Sequence, residues 1–329
     1  MTFLQTEKAR YARIKPTASW LGEAARANGM YRGAMREFCI PQEHAVENLF
    51  SGTRDRVIEH FARNRIKWHD GIAVGPSNHL CSSMVCGVNF LSPLMDNQEA
   101  ATVLLRSVFG DSVVQALPVG EGPFVEFEWV GDPSEDYLNE GLNRTRGANA
   151  TSADAAMAYG RADGGKTLVL IEWKYTESYS TQYRGAGRQG ETRRKRYQEL
   201  FSAPGSPVDG TRVAYDETLY EPFYQFMRQQ LLAWLMEAKG LEYGADRVRV
   251  LHLSPRANLD FERVTAPALS ERYPGMKATE LWGGLLKDPS LFTPAAIEDA
   301  FAPLLSDNDR VLADWRGYIR ERYSWAVAE

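Results

Sequence analysis

The stretch Thr167-Leu-Val-Leu-Ile-Glu-Trp-Lys-Tyr-Thr-Glu177 runs uninterrupted through apolar residues and then presents an acid and an amine two positions apart, Glu172 and Lys174. Thr167 to Ile171 reads as a strand buried on both faces. Strand alternation sends Glu172 and Lys174 to one face and Trp173 and Tyr175 to the other. A carboxylate and an ammonium at the end of a buried strand are costly unless something pairs with them. Metal-dependent phosphodiester chemistry supplies such a partner. A second acid, Asp154, lies one hairpin upstream.

Whether Asp154 reaches that pair is a matter of register. Ala153 to Tyr159 reads as a strand, and Asp163-Gly164-Gly165 is a strong turn signal. A three-residue loop at those positions sets Ala162 opposite Lys166. Asp154 then lies opposite Lys174 and diagonal to Glu172, all on one face. A two-residue loop puts Asp154 on the wrong face, so the constellation needs an odd loop or a bulge. The plain alternative for a Glu-x-Lys triplet is a solvated ion pair at a surface strand end. The conjunction of buried strand, upstream acid, turn and downstream helix favours a site.

These residues resemble the PD-(D/E)XK phosphodiesterase superfamily, the restriction-endonuclease-like nucleases. Asp154 matches the first acid, and Glu172-Trp173-Lys174 the second acid, spacer and lysine. The resemblance is closest to a branch in which a Thr-Ser-x-Asp-Ala stretch, here Thr151 to Ala155, precedes an Ile-Glu-Trp-Lys-Tyr strand. Ser82-Ser83 followed by Asn89-Phe90 is placed in the same pattern. The proline usual before the first acid is absent, and Ala153 stands there. The resemblance implies an α/β fold with an αβββαβ core around a central mixed sheet, spanning 80–255. A mainly helical extension (1–79) and a helical C-terminal extension (256–329) pack on it as one unit.

The implied activity is Mg²⁺-dependent nuclease cleavage, with Mn²⁺ as a substitute and DNA ahead of RNA as substrate. The resemblance adds a role in restriction or phage defence and allows a homodimer. Asp154 and Glu172 supply the hard oxygen ligands that Mg²⁺ prefers, with the Trp173 carbonyl as a third. Lys174 holds the attacking water or neutralises phosphate charge. Glu126 or Glu128 on the preceding strand is a candidate ligand for a second ion. Relatives carry a Gln on the helix after the lysine strand, which points to Gln225 or Gln229. The alternative is a nuclease-like protein that binds nucleic acid or a partner without cutting; the intact Asp154, Glu172 and Lys174 set argues against it.

The elements that must position these groups are readable in outline. Ala45 to Arg65 and Gln98 to Phe109 have helical spacing, and Ser82 or Ser83 is placed to cap a helix running to Leu91. Pro123 to Val130 alternates as a half-buried strand. A long polar loop from Gly131 to Ser152 carries Arg144, Arg146 and Asn149 close to the first acid, with Arg146 a candidate accessory group. Glu221-Pro222 opens an amphipathic helix that Gly240 ends, and Arg247 to Leu253 is a further strand closed by Pro255. Helical patterns near Pro294 to Leu305 and Arg310 to Tyr323 predict an appended all-α layer.

Arg184, Arg188, Arg193, Arg194, Lys195 and Arg196 crowd a Gly-containing stretch just after the site strand, read as a flexible basic loop that grips a phosphate backbone. Glu177 is placed to pair with it. The net charge of −5 excludes a protein coated in basic residues for bulk nucleic-acid binding.

With 44% hydrophobic and 25% charged residues, the 329-residue chain has the composition of an ordinary globular protein. No apolar run approaches a membrane span, and Met1-Thr-Phe-Leu-Gln-Thr-Glu-Lys lacks the pattern of a secretory signal. Three cysteines, Cys39, Cys81 and Cys86, fit a reducing cytoplasm. His79, Cys81 and Cys86 lack the second ligand pair a zinc site needs. No glycine-rich phosphate loop, dinucleotide fingerprint or Gly-x-Ser-x-Gly elbow is present.

Overall fold

Thr2 caps the first helix, α1 (Phe3–Ile14), through a capping box with Gln5. A short hairpin follows, β1 (Gly29–Tyr31) and β2 (Ala34–Arg36). The helix expected over Ala45 to Arg65 is broken: Gln42–Asn48 is a 3-10 turn and α2 covers Arg54–Arg63. Ser51-Gly52-Thr53 punctuates the pattern between them. Ser82 accepts from Val85 N–H and caps α3 (Ser83–Leu91), and α4 runs Gln98–Phe109 behind an Asn97 cap. The computed structural model describes residues 1–70, 75–147, 150–306 and 310–327. Asn149 lies outside them.

One mixed sheet organises the rest. β3 (Gln115–Leu117) and β4 (Glu126–Trp129) lie in succession along one side of β5 (Ala153–Gly160), both antiparallel to it. β5 pairs antiparallel with β6 (Lys166–Trp173), and β6 pairs parallel with β7 (Arg247–Ser254). Between β6 and β7 come α5 (Gly187–Ser202) and α6 (Phe223–Lys239), the latter ended by Gly240 in the left-handed conformation. The helix–three strands–helix–strand core is thus present, its first strand split into β3 and β4 and its crossover holding two helices. After α7 (Pro267–Arg272) and α8 (Ala278–Gly284), the C-terminal segment adds β8 (Phe292–Ala296), parallel to β7. α9 (Ile297–Ser306) and α10 (Ala313–Arg322) follow. The segment is therefore not all-helical: it extends the sheet.

Alternation divides the core between the two faces of the sheet. Met157, Val169, Ile171, Trp173 and Leu253 pack with α3, α4, α9 and α10. Ala156, Ala158, Leu168, Leu170 and Val250 pack with α6 and α8. β6 is buried along nearly its whole length, as a central strand covered on both faces must be. Gly87 lets α3 close on the site strand, because a Cβ there would stand 3.0 Å from the Trp173 ring. Each fully buried aliphatic side chain along this strand contributes about 1.5–3 kcal/mol.

The β5–β6 hairpin has the odd loop that the site requires, placed one residue earlier than the turn signal indicates. Arg161 N–H donates to Gly165 O at 2.8 Å, and Ala162-Asp163-Gly164 form the loop, with Gly164 at φ +84°. Gly160 therefore pairs with Lys166 and Ala155 with Ile171. Continuing that register by one step sets Asp154 opposite Glu172, and not opposite Lys174 as a loop over Asp163 to Gly165 would have it. Parity, and hence the face, is unchanged.

Candidate active site

Three acids form a row across the sheet. The β4–β5 register pairs Phe127 with Ala155 and Trp129 with Ala153, which puts Glu128 level with Asp154, itself level with Glu172. Glu128 has a left-handed backbone, φ +50°, which side-chain-bearing residues rarely adopt. Its carboxylate accepts from the Ser152 hydroxyl at 2.6 Å. Glu128, Asp154, Glu172, Lys174, Gln225 and Arg228 line one pocket of about 370 Å³. A larger cavity, about 870 Å³, lies by the C-terminal helices among residues such as Ala302, Leu305 and Trp325, away from the acids.

Glu172 is the hub. Its Oε1 accepts from Lys174 Nζ and from Gln225 Nε2, and its Oε2 accepts from Gln229 Nε2. Both glutamines singled out on the helix after the lysine strand therefore reach the second acid, from positions one turn apart on α6. The carbonyl oxygen of Gln229 is buried without a partner. Asp154 Oδ2 accepts from Trp173 N–H at 2.7 Å, and Ser83 Oγ donates to the Trp173 carbonyl at 3.3 Å. Lys174 N–H donates to Leu253 O at 2.8 Å, so the lysine is held by β7 just past the end of β6.

The electrostatics of the row are unbalanced. Burial and the neighbouring Glu172 charge push Asp154 well above the usual carboxylate range, although one edge of it opens on the pocket. Burial, opposed by the Ser152 hydrogen bond and reinforced by Glu172, raises Glu128 to about 7. Burial works against the Lys174 ammonium, but the charges of Glu172, Asp154 and Glu177 hold it well above the ordinary lysine range. Lys174 is therefore a fixed cation. On the far side of Glu172, level with it on β7, His252 stacks on Phe261 with ring centres 4.7 Å apart, and neither ring nitrogen has a partner. Burial and the Lys174 charge hold it well below the usual imidazole range, hence neutral.

Other candidates fall elsewhere. Glu126 belongs to a separate cluster: Arg146 Nη2 donates to it at 2.6 Å, and His60 Nε2 lies 3.4 Å away. Burial opposes its charge, but His60 and Arg146 keep it below the usual range. Arg146 is spent on Glu126 and on the Phe127 and Glu128 carbonyls, so it does not enter the pocket. Glu177 accepts from Tyr175 N–H at 2.6 Å and lies at the pocket rim; it makes no ion pair with the basic stretch.

The basic stretch is not a loop. From Gly187 it is α5, and Gly190 permits it, since a Cβ there would collide with Gly185 O at 2.0 Å. Arg193 donates to the Arg184 carbonyl at 2.6 Å and to Tyr224 Oη at 3.2 Å. Arg194 pairs with Asp216 at 2.8 Å, and Arg184 lies 3.8 Å from Glu221. Arg188 and Lys195 remain exposed, and Arg196 is half-buried. Ser152 belongs to the Thr-Ser-x-Asp-Ala stretch, whereas Arg228, which also lines the pocket, escapes the motif. Arg228 has a legible signal all the same, one turn after Gln225 on the same helix face.

The donor set fits a hard divalent cation. Among the described residues no three His, Cys or carboxylate side chains close on one point. An ion here would be held by Asp154, Glu172 and the Trp173 carbonyl, the mixture of few carboxylates and remaining water that Mg²⁺ accepts. The raised carboxyls of Asp154 and Glu128 mark negative charge the protein leaves uncompensated.

A pH dependence follows. Glu128 titrates near 7 folded and near 4.5 unfolded, so between these values the native state holds a proton that the unfolded chain has released. Metal-free stability then falls as pH rises through that window, by about 3 kcal/mol from Glu128 alone, and Asp154 acts in the same direction. Urea midpoints without metal should drop from pH 5 to pH 7.5, with Mn²⁺ restoring stability mainly at the higher pH. A Glu128→Gln variant with the same pH slope as the wild type would show that Glu128 is not the source.

One comparison with known proteins finds a match. A family model described as Restriction Endonuclease associating with ARP matches residues 12–324. No curated protein and no solved structure matches the chain.

Proposed function

Because the chain belongs to the family of restriction endonucleases associating with ARP, a nuclease family, we propose that it is a Mg²⁺-dependent DNA endonuclease whose reaction takes place over Asp154, Glu172 and Lys174. The observation that carries this reading is the row of acids beside a fixed ammonium in one pocket. Such a charge pattern favours a bound cation, which neutralises acids that otherwise take up protons. Asp154, Glu172 and the Trp173 carbonyl would hold Mg²⁺, with Mn²⁺ as a substitute. When bound, the ion supplies Lewis-acid polarisation of the phosphate oxygens. Gln225 and Gln229 fix the Glu172 carboxylate in one orientation. Lys174 keeps its protons at neutral pH, so its Nζ donates hydrogen bonds and positive charge toward the phosphate rather than removing a proton. Trp173, packed on Phe90 and Phe301, closes the sheet side of the site to water.

The proposed setting is cytoplasmic, in restriction or phage defence. No helix of the described residues is long and apolar enough to cross a membrane. Incubating the pure protein with supercoiled plasmid, linear DNA and RNA in Mg²⁺, Mn²⁺ and EDTA tests the reading. Expected are nicks or breaks in DNA with either metal and none in EDTA. DNA left intact in both metals, by protein that binds Mn²⁺, would refute it.

DNA binding by α5 is proposed for its exposed side. Arg188 and Lys195 are seven residues apart and share one helix face. Arg188→Glu with Lys195→Glu should weaken binding and flatten the log–log salt dependence by about 0.9 for each phosphate no longer neutralised, at an unchanged melting temperature. An unaltered slope would make this face a solvated surface. Arg193 and Arg194 are unsuitable for the test, because both anchor the helix.

A further inference from the structure

Arg228 lines the same pocket as Asp154 and Glu172, one turn along α6 from Gln225. Its guanidinium lies 4.7 Å from the ring centre of Tyr224, and Nη1 donates to Thr151 Oγ1 at 3.0 Å. Thr151 is itself anchored: its N–H and its hydroxyl both donate to Glu140 at 2.7 Å, and Glu140 also accepts from Tyr197 of α5 at 2.6 Å. Among the described residues no carboxylate stands within ion-pair distance of Arg228, and its Nε–H is buried with no partner. Other arginines around the sheet are neutralised, Arg146 by Glu126 and Arg161 by Asp246. Lys174, the pocket's other cation, is engaged by Glu172.

A guanidinium that is stacked, pinned at one nitrogen and left without a direct ion pair is preorganised to receive an anionic oxygen. We propose that Arg228 is a phosphate-binding residue of this site, taking a non-bridging oxygen of the phosphodiester through the N–H groups its neighbours leave free. Thr151 and Tyr224 are its positioning residues. The inference rests on the nuclease reading for the identity of the ester; the receptor itself requires only a phosphate oxygen.

The test separates the two. In an Asp154→Asn background, chosen to suppress cleavage, the affinity for a labelled duplex is measured across salt concentrations with Arg, Lys or Gln at position 228. Single-turnover cleavage, Mn²⁺ affinity and melting temperature are measured for the same substitutions with Asp154 intact. Arg228→Gln should flatten the salt slope by about 0.9, the equivalent of one phosphate, and slow cleavage about 100-fold while Mn²⁺ affinity and melting temperature hold. Arg228→Lys should recover the slope but not the rate, because an ammonium carries the charge without the fork. A Gln variant with the wild-type slope overturns the proposal, whether its rate is intact or falls only alongside its melting temperature. If the wild-type protein binds DNA but never cuts it, the nuclease reading fails alone and the salt slope still decides Arg228.

Discussion

In Asp154→Asn, metal-dependent cleavage falls about 1,000-fold or more, and the metal-free protein melts at a higher temperature than the wild type. The asparagine carbonyl can still accept from Trp173 N–H, the hydrogen bond the Asp154 side chain makes, so the local structure keeps its partner. What disappears is a carboxylate held against its own charge by burial and by Glu172. Glu172→Gln loses activity to the same degree and stability as well. Three donors converge on the Glu172 oxygens, and an amide would turn its own N–H groups toward one of them. The buried Lys174 ammonium would also lose its counter-charge, at about 3–5 kcal/mol. Melting curves in EDTA for both variants check this: Asp154→Asn above wild type, Glu172→Gln below it. The reverse order would rule out the assignment of Glu172 as the hub and Asp154 as the strained acid.

Lys174→Ala should lower stability by about 3 kcal/mol, since it strips a buried partner from Glu172 while Gln225 and Gln229 stay in place. Cleavage should fall at least about 100-fold through loss of a fixed positive donor near the phosphate. Mn²⁺ affinity should be kept or increased, because the ammonium is not a ligand and repels a cation at the same acids. Calorimetric titration with Mn²⁺ is the deciding measurement. A variant that no longer binds Mn²⁺ would make Lys174 part of the ion's support and overturn the division of roles.

The elements nearest the chemistry are the most legible in the sequence, for a physical reason. The strand around Ile171 is apolar because both faces are covered, and α4 and α6 carry clean periodicities with Asn97 at the start of one and Gly240 at the end of the other. Hairpin parity alone decides the face of Asp154, so a loop misplaced by one residue does no harm. Two elements defy a local reading because their own residues argue against them. Gly187 and Gly190 make a helix look like a loop, yet Gly190 is there for a close backbone approach. Pro294 argues against a strand, and β8 tolerates it at the edge of the sheet. At the site, the choice between Glu126 and Glu128 is illegible, because it turns on a left-handed backbone and on His60 and Arg146 arriving from elsewhere in the chain. Arg228 is legible only through its spacing from Gln225, in a helix whose apolar side dominates its pattern.

The placement of β8 has a bearing on how such a protein is made. The cluster on the α3 face of the sheet runs from Tyr11 to Ala326, and β7, which holds the backbone of Lys174, has β8 as its outer neighbour. A chain emerging from the ribosome exposes β7 as an unpaired edge until residues 292–296 follow it, and lacks the aromatic groups of α10 and Trp325 until still later. The strand that carries Glu172 is therefore supported only once nearly all of these residues have been synthesised. Interrupted translation before Phe292 should yield an aggregation-prone fragment with an open sheet edge rather than a smaller folded protein.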